Sequence, residues 1–194
     1  MAYYFKGAKI LAPFTISSTE PVYEVDTVSL SIQRASQGAQ RWEISFTTVT
    51  TEDTEADFIL GTVTGLTTTD TMVMPQLPSV VKNNTATANL TISVAQTAGA
   101  SSVTVVSDGV IQKGSFIKFS NHDKLYMVTA DVSAGTAPIS IHPKLKQAVA
   151  TTDTMLTGDS VLFTYFRDID NLTGLTFSDG VLSQAGTITL IESV

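Results

Sequence analysis

The chain has no cysteine and only two histidines, His122 and His142, in 194 residues. Without cysteine there is no disulfide, no thiolate nucleophile and no Cys-based metal site. Charge is scarce as well, at 15% of the residues against a usual share of about a quarter. Bases are the scarcer kind: 11 Lys and Arg stand against 18 Asp and Glu, a net charge of −7. Such a balance argues against tight binding to a phosphate backbone, which needs clustered cations. It suits a surface past which DNA slides without sticking. No apolar run comes near the ~20 residues that span a bilayer. The start, Met1 to Gly7, lacks the basic, apolar and small-residue layout of a secretory signal. We therefore expect a protein made in a cytoplasm, without a membrane segment.

What fills the place of charge is Thr and Ser, about a quarter of the chain. Hydroxyl and β-branched surfaces suit strands better than helices. Val28 to Ile32 alternates apolar and polar residues, and so does Trp42 to Phe46, with Ala35 to Gln40 reading as a hairpin loop between them. Thr51, followed by Glu52, Asp53 and Glu55, starts the one good helix pattern, through Phe58 and Leu60. The Pro-punctuated stretch Met72 to Pro78 fits an edge strand or a crossing segment. From about Thr85 five short strands follow in quick succession: around Leu90, Val103, Phe116, Tyr126 and Ile139. Tight turns at Gly99, Asp108-Gly109, Asn121 to Asp123 and Gly135 separate them, the signature of a small barrel of the oligonucleotide-binding (OB) type. Lys144 to Val149 reads as one helical turn. Val161 to Phe166 and Thr187 to Ile191 are strand-like again. The fold expected is all-β: a β-sandwich from residues 1–84 and 165–194, with one short helix, and an inserted OB-like barrel over 85–164.

Catalytic chemistry is poorly supplied. His122 has Asp123 beside it, yet neighbours in a turn rarely face each other, and no Gly-x-Ser-x-Gly elbow is present. His142 precedes Pro143 at a strand end and reads as a capping or packing residue. Two histidines without an acidic cluster make a poor metal site. Asp168-Ile169-Asp170-Asn171 has the start of a calcium loop, but Leu172 stands where a third oxygen ligand belongs and Gly174 arrives late. Glu52, Asp53, Glu55 and Asp57 are better explained as a solvated first helical turn than as a glycosidase pair. Asn89-Leu90-Thr91 and Asn171-Leu172-Thr173 are sequons expected by chance in so Thr-rich a chain. We expect no enzyme, no cofactor, no metal and no catalytic residue.

Between residues 85 and 150 lie Lys113, Lys118, Lys124, Lys144 and Lys146 against Asp108, Asp123 and Asp131, a balance of +2 that leaves −9 for the remainder. Extending the insert to residue 164 makes it neutral. Its lysines with Phe116, Phe119 and Tyr126 are the best candidates for holding single-stranded nucleic acid, by stacking plus cations. A carbohydrate-binding barrel is the parallel reading. On an alternating strand Phe116 and Phe119 cannot share a face, so at least one belongs to the core.

The stretch Gln112 to Thr129 is a Gly-led strand, a turn with His122 and Lys124, then Tyr126-Met127-Val128-Thr129. It resembles a recurrent piece of phage tail proteins. Ile139 to Leu145 continues it, and the ending Gly186 to Ser193 and the segment Trp42 to Phe46 resemble the same family, the distal tail proteins of coliphage-type siphophages. The resemblance spans most of the chain, and the middle stretch is its specific part. It implies a tail-tube-like β-sandwich with an inserted OB-type barrel. It also implies a hexameric ring joining the tail tube to baseplate or tail-tip proteins, a lumen that passes DNA, a place in the virion, and no catalytic residues. No long receptor-binding arm is present, so direct host attachment is not expected. The other readings are a major tail tube protein and an OB-type binding module for sugar or oligonucleotide.

Overall fold

A computed structural model describes residues 3–5, 7–26, 32–36, 38–49, 69–168, 176–178, 181–184 and 186–194. In chain order its first strands are β1 (Tyr4–Phe5), β2 (Ala8–Thr19), β3 (Val22–Asp26), β4 (Ile32–Ser36), β5 (Arg41–Thr48) and β6 (Asp70–Val73), followed by helix α1 (Pro78–Asn83). Then come β7 (Asn89–Ile92), β8 (Ser102–Ser107), β9 (Phe116–Phe119), β10 (Leu125–Val128), β11 (Gly135–His142) and β12 (Thr154–Leu156). A 3-10 turn at Gly158–Ser160 leads to β13 (Leu162–Arg167), β14 (Thr176–Ser178), β15 (Val181–Gln184) and β16 (Ile188–Glu192). The protein is all-β with an inserted barrel. None of its described helices is long and apolar enough to cross a membrane.

Six strands from both ends of the chain form one antiparallel sheet in the order β1-β2-β5-β16-β13-β6. Period-two alternation decides which face is buried: Trp42, Ile44 and Phe46 on β5, Ile188 and Leu190 on β16, and Phe163 and Tyr165 on β13 all point inward. Pro13 interrupts β2, having no N–H for the ladder, and the register with β5 shifts between Leu11 and Thr15. The last strand, β16, lies centrally between β5 and β13. Two further ladders, β3–β4 and β14–β15, stand outside this sheet.

Strands β7 to β12 close into a barrel in the order β10-β11-β8-β7-β12-β9, every pairing antiparallel. The five strands expected are present. The sixth, β12, joins β7 to β9 and closes a ring that an OB barrel leaves partly open. Leu90, Ile92, Val103, Val105, Ile117, Phe119, Tyr126, Val128, Ile139 and Met155 fill its interior. Gly109 is required where the chain crosses the barrel's end: a Cβ there would lie 2.4 Å from the carbonyl carbon and oxygen of Thr85. The barrel strands span residues 89–156, and the chain re-enters the open sheet at Leu162.

Three local expectations are corrected. The hairpin between the strand near Ile32 and Trp42–Phe46 does not form: β4 pairs with β3, and both edges of β5 are taken by β2 and β16. Lys144 to Val149 is not helical. Leu145 exchanges backbone hydrogen bonds with Gly99 and Ala100, and Val149 bridges Gln96, which holds the segment open against the β7–β8 loop. Met72 starts as the edge strand expected, but Pro78 then opens α1, where a proline's missing N–H costs nothing. The helix expected from Thr51 lies outside the described residues.

Candidate functional site

Where the barrel meets the open sheet, Lys124 and Glu192 are both buried, with side chains 3% and 0% exposed, and they form an ion pair at 2.5 Å. The ammonium also donates to the backbone oxygen of Gln40 at 2.9 Å and to its Oε1 at 2.6 Å. Glu192 Oε2 accepts from Trp42 N at 3.0 Å, and Oε1 accepts from Leu125 N at 2.7 Å. One carboxylate thus ties β5 to the start of β10, across a junction also bridged by Trp42 Nε1 donating to Leu125 O. Burial pulls the Lys124 ammonium below the ordinary lysine range, and the adjacent Glu192 charge opposes that shift. Around the pair Phe116, Leu125 and Met127 of the barrel pack into the sheet's core, and Trp42 meets Phe116 edge-on at 5.1 Å.

Beside this junction opens a cleft of about 1130 Å³. Its walls come from the end of β2 (Thr19 to Pro21), the approach to β5 (Gly38 to Arg41), the β7–β8 loop (Ala98, Gly99) and the segment His142 to Lys146. Arg41, Lys144 and Lys146 line it, with Glu20 as the acid among the lining residues, while Lys124 on its floor is neutralised by Glu192. Lys144 and Lys146 are exposed and make no ion pair among the described residues. Arg41 lies 3.6 Å from Glu43.

The histidines serve packing and hydrogen bonding. Asn121 Nδ2 donates to Ala148 O, so its Oδ1 faces His122 Nδ1 at 2.6 Å and accepts a hydrogen bond from the Nδ1–H. His122 Nε2 is then the acceptor for the Tyr126 hydroxyl at 2.8 Å, and that oxygen accepts from Lys146 N at 3.0 Å. Burial holds His122 below its usual pKa and raises Tyr126 to about 12. Asp123 faces Lys118 at 2.6 Å instead of His122, and the hydrogen bond from Lys118 holds it below the usual carboxylate range. His142, at the end of β11, packs edge-on to Trp42 at 6.2 Å.

The aromatic candidates are all buried. Phe116 faces the sheet, while Phe119 and Tyr126 fill the barrel, so none offers a ring to stack a base or sugar. Of the five insert lysines, Lys124 is consumed by Glu192 and Lys118 by Asp123; Lys113 is exposed, and Lys144 and Lys146 reach the cleft. Asn89 of the first sequon is exposed on β7. Glu52, Asp53, Glu55, Asp57 and the Asp170 to Gly174 part of the loop reading lie outside the described residues, as does Asn171.

Sequence reasoning missed Glu192 and Arg41. The first had a signal: Ile188, Leu190 and Glu192 share one face of β16, and an acid on an apolar face implies a buried partner. Arg41 had none, because only the fold sets it beside Lys144 and Lys146. The chain matches no protein-family model and no curated protein.

Proposed function

We propose that this chain is a non-catalytic structural subunit of a siphophage tail, a distal tail hub protomer. It assembles into a ring, hexameric by resemblance, that joins the tail tube to baseplate or tail-tip proteins and passes DNA through its lumen. The observation that carries the reading is the open antiparallel sheet, made from both chain ends, with a closed barrel inserted into its connection. Among the described residues the sheet ends in the edge strands β1 and β6, and sheet edges are where subunits pair strand to strand. Val22, Tyr23 and Val25 on β3 are 46%, 65% and 63% exposed, a large apolar presentation for one short strand and the kind an assembly covers. The net charge of −7 suits a lumen past which DNA moves.

The buried aromatics weigh against the sugar- or oligonucleotide-binding module. The test is the solution mass by light scattering, with negative-stain images of the same fraction. Rings with a central hole support the hub; long tubes replace it with the tail tube protein; a monomer at every concentration overturns the ring.

A further inference from the structure

We propose that Lys124 and Gln40 are the two ends of an intramolecular isopeptide bond, which the folded chain forms by itself with Glu192 as the base. The three side chains are buried together where barrel and sheet meet, Gln40 at 6%, Lys124 at 3% and Glu192 at 1% exposure. The Lys124 ammonium donates to Gln40 Oε1 at 2.6 Å, to the Gln40 backbone oxygen at 2.9 Å and to Glu192 Oε2 at 2.5 Å. With a carbonyl bond of about 1.23 Å, Nζ stands no more than about 3.8 Å from the Gln40 carboxamide carbon, close to the separation of a pair poised to react. Gln40 Nε2 donates to Ser18 Oγ at 2.8 Å, which holds the carboxamide with its oxygen toward the amine. An acyl carbon, an amine and a carboxylate in contact and shut away from bulk water are the reactants and the base of an amide transfer. The ion pair alone explains a buried lysine; the acyl group held on the same nitrogen does not follow from it.

The step balances within the chain. Glu192 takes one hydrogen of the ammonium as a proton, and rotation about the Cε–Nζ bond turns the freed lone pair toward Cδ of Gln40. The new N–C bond forms as the bond from Cδ to Nε2 breaks. A second hydrogen passes to Nε2, which leaves as ammonia, and the third stays on the new amide. Nothing is oxidised or reduced. Two buried charges become a neutral amide and a neutral carboxylic acid, which removes the desolvation cost of the pair. Burial already pulls the Lys124 ammonium below the ordinary lysine range, which favours the first transfer. Gln40 and Lys124 both line the cleft, which gives the ammonia a way out. A carboxamide is a weak acyl donor, so the ion pair is the state of the freshly folded chain and the bond follows as it ages. Once made, the bond closes a loop between residues 84 apart in sequence and ties the approach to β5 to the approach to β10. It is a single event within each chain and independent of any ring.

The test is the intact mass of the full-length protein, denatured after increasing times of folded incubation at neutral pH, with peptide mapping of the product. The expected result is a mass lower by one ammonia and a branched peptide joining Lys124 to Gln40. Gln40→Met keeps Lys124 and its Glu192 partner but has no acyl group, and it should retain its full mass. Glu192→Gln should slow the loss by on the order of a hundredfold, the share usual for a positioned base. The unaltered chain held unfolded in urea should not link, which keeps the geometry on trial if the Glu192→Gln chain does not fold. A folded chain whose mass never changes overturns the proposal. So does ammonia lost elsewhere in the chain, as from a cyclising asparagine. Loss of water instead, with Lys124 joined to Glu192, overturns Gln40 as the acyl donor. Linkage in the Glu192→Gln chain at the unaltered rate overturns Glu192 as the base.

Discussion

Replacing Glu192 by Gln is the sharpest single perturbation the fold offers. The two proteins differ by one charge and almost nothing in volume, so packing is unchanged. Glu192 accepts a backbone N–H on each oxygen, from Leu125 on Oε1 and from Trp42 on Oε2, and Oε2 also receives the Lys124 ammonium. Whichever way a glutamine amide turns, its nitrogen faces a backbone donor, and even with its oxygen turned to Trp42 N and Lys124 the ammonium loses its counter-charge and keeps only neutral acceptors. Breaking a buried pair by removing one partner costs about 3–5 kcal/mol. For a chain of this size each kcal/mol moves the melting temperature about 2–4 °C, so a loss of roughly 6–20 °C is expected. Trp42 is the only tryptophan, it sits at this junction, and its own N–H contacts Glu192. Urea unfolding followed by Trp42 fluorescence and by far-ultraviolet circular dichroism therefore reports the junction and the whole fold separately. In the cycle with Lys124→Met, the double variant should lose less than the two single losses combined, by about 0.5–3 kcal/mol. A Glu192→Gln protein within about 1 kcal/mol of the unaltered chain, well below the cost expected for a broken buried pair, would refute the claim that this carboxylate couples the barrel to the sheet.

Four other outcomes follow from the same geometry. Because burial depresses His122 in the fold, the folded chain binds fewer protons than the unfolded one around the unfolded value near 6.5. The stability it contributes is therefore complete above that value and is lost as pH falls through the folded pKa, measurable as a falling urea midpoint from about pH 6.5 downward. Nitrogen chemical shifts should report a neutral ring protonated on Nδ1, and Tyr126→Phe, which strips the donor from Nε2, should cost about 1–3 kcal/mol. Gly109→Ala puts a methyl 2.4 Å from the Thr85 backbone, so the barrel end must shift, at about 1–3 kcal/mol in thermal unfolding. Arg167 is 3% exposed and its three guanidinium nitrogens have no hydrogen-bond partner among the described residues; Arg167→Met should raise the protein's melting temperature, each kcal/mol gained being worth about 2–4 °C.

The barrel was legible because its strands carry their burial in their alternation: Leu90 and Ile92, Val103 and Val105, Ile139 and Ile141 all recur at every second residue. β12 escaped because three residues with the single buried apolar side chain of Met155 do not establish a period. The segment Lys144 to Val149 failed for a different reason. Its composition permits a helical turn, but its amides are claimed by Gly99, Ala100 and Gln96, and tertiary pairing overrides weak local preference. The mistaken hairpin partner of β5 is the same lesson across a longer range: the strand nearest in sequence competed with β16, nearly 150 residues on, whose apolar face completes the core. Of the candidate site, Lys144 and Lys146 were visible as part of the basic insert. Their grouping with Arg41 was not, since no local pattern ties residues a hundred positions apart.

Those long separations have a consequence for how the two parts depend on each other. Every barrel strand lies within residues 89–156, and the barrel's core contacts are made among themselves. The open sheet is different: β16, its central strand, is the last in the chain, and without it β5 and β13 have no shared neighbour. The barrel's core is local in sequence, whereas the sheet's core joins strands far apart in it. Glu192, at the end of β16, accepts from Leu125 N and Lys124 Nζ and so joins the sheet to the barrel. β16 thus both joins β5 to β13 and holds the sheet against the barrel beside the cleft.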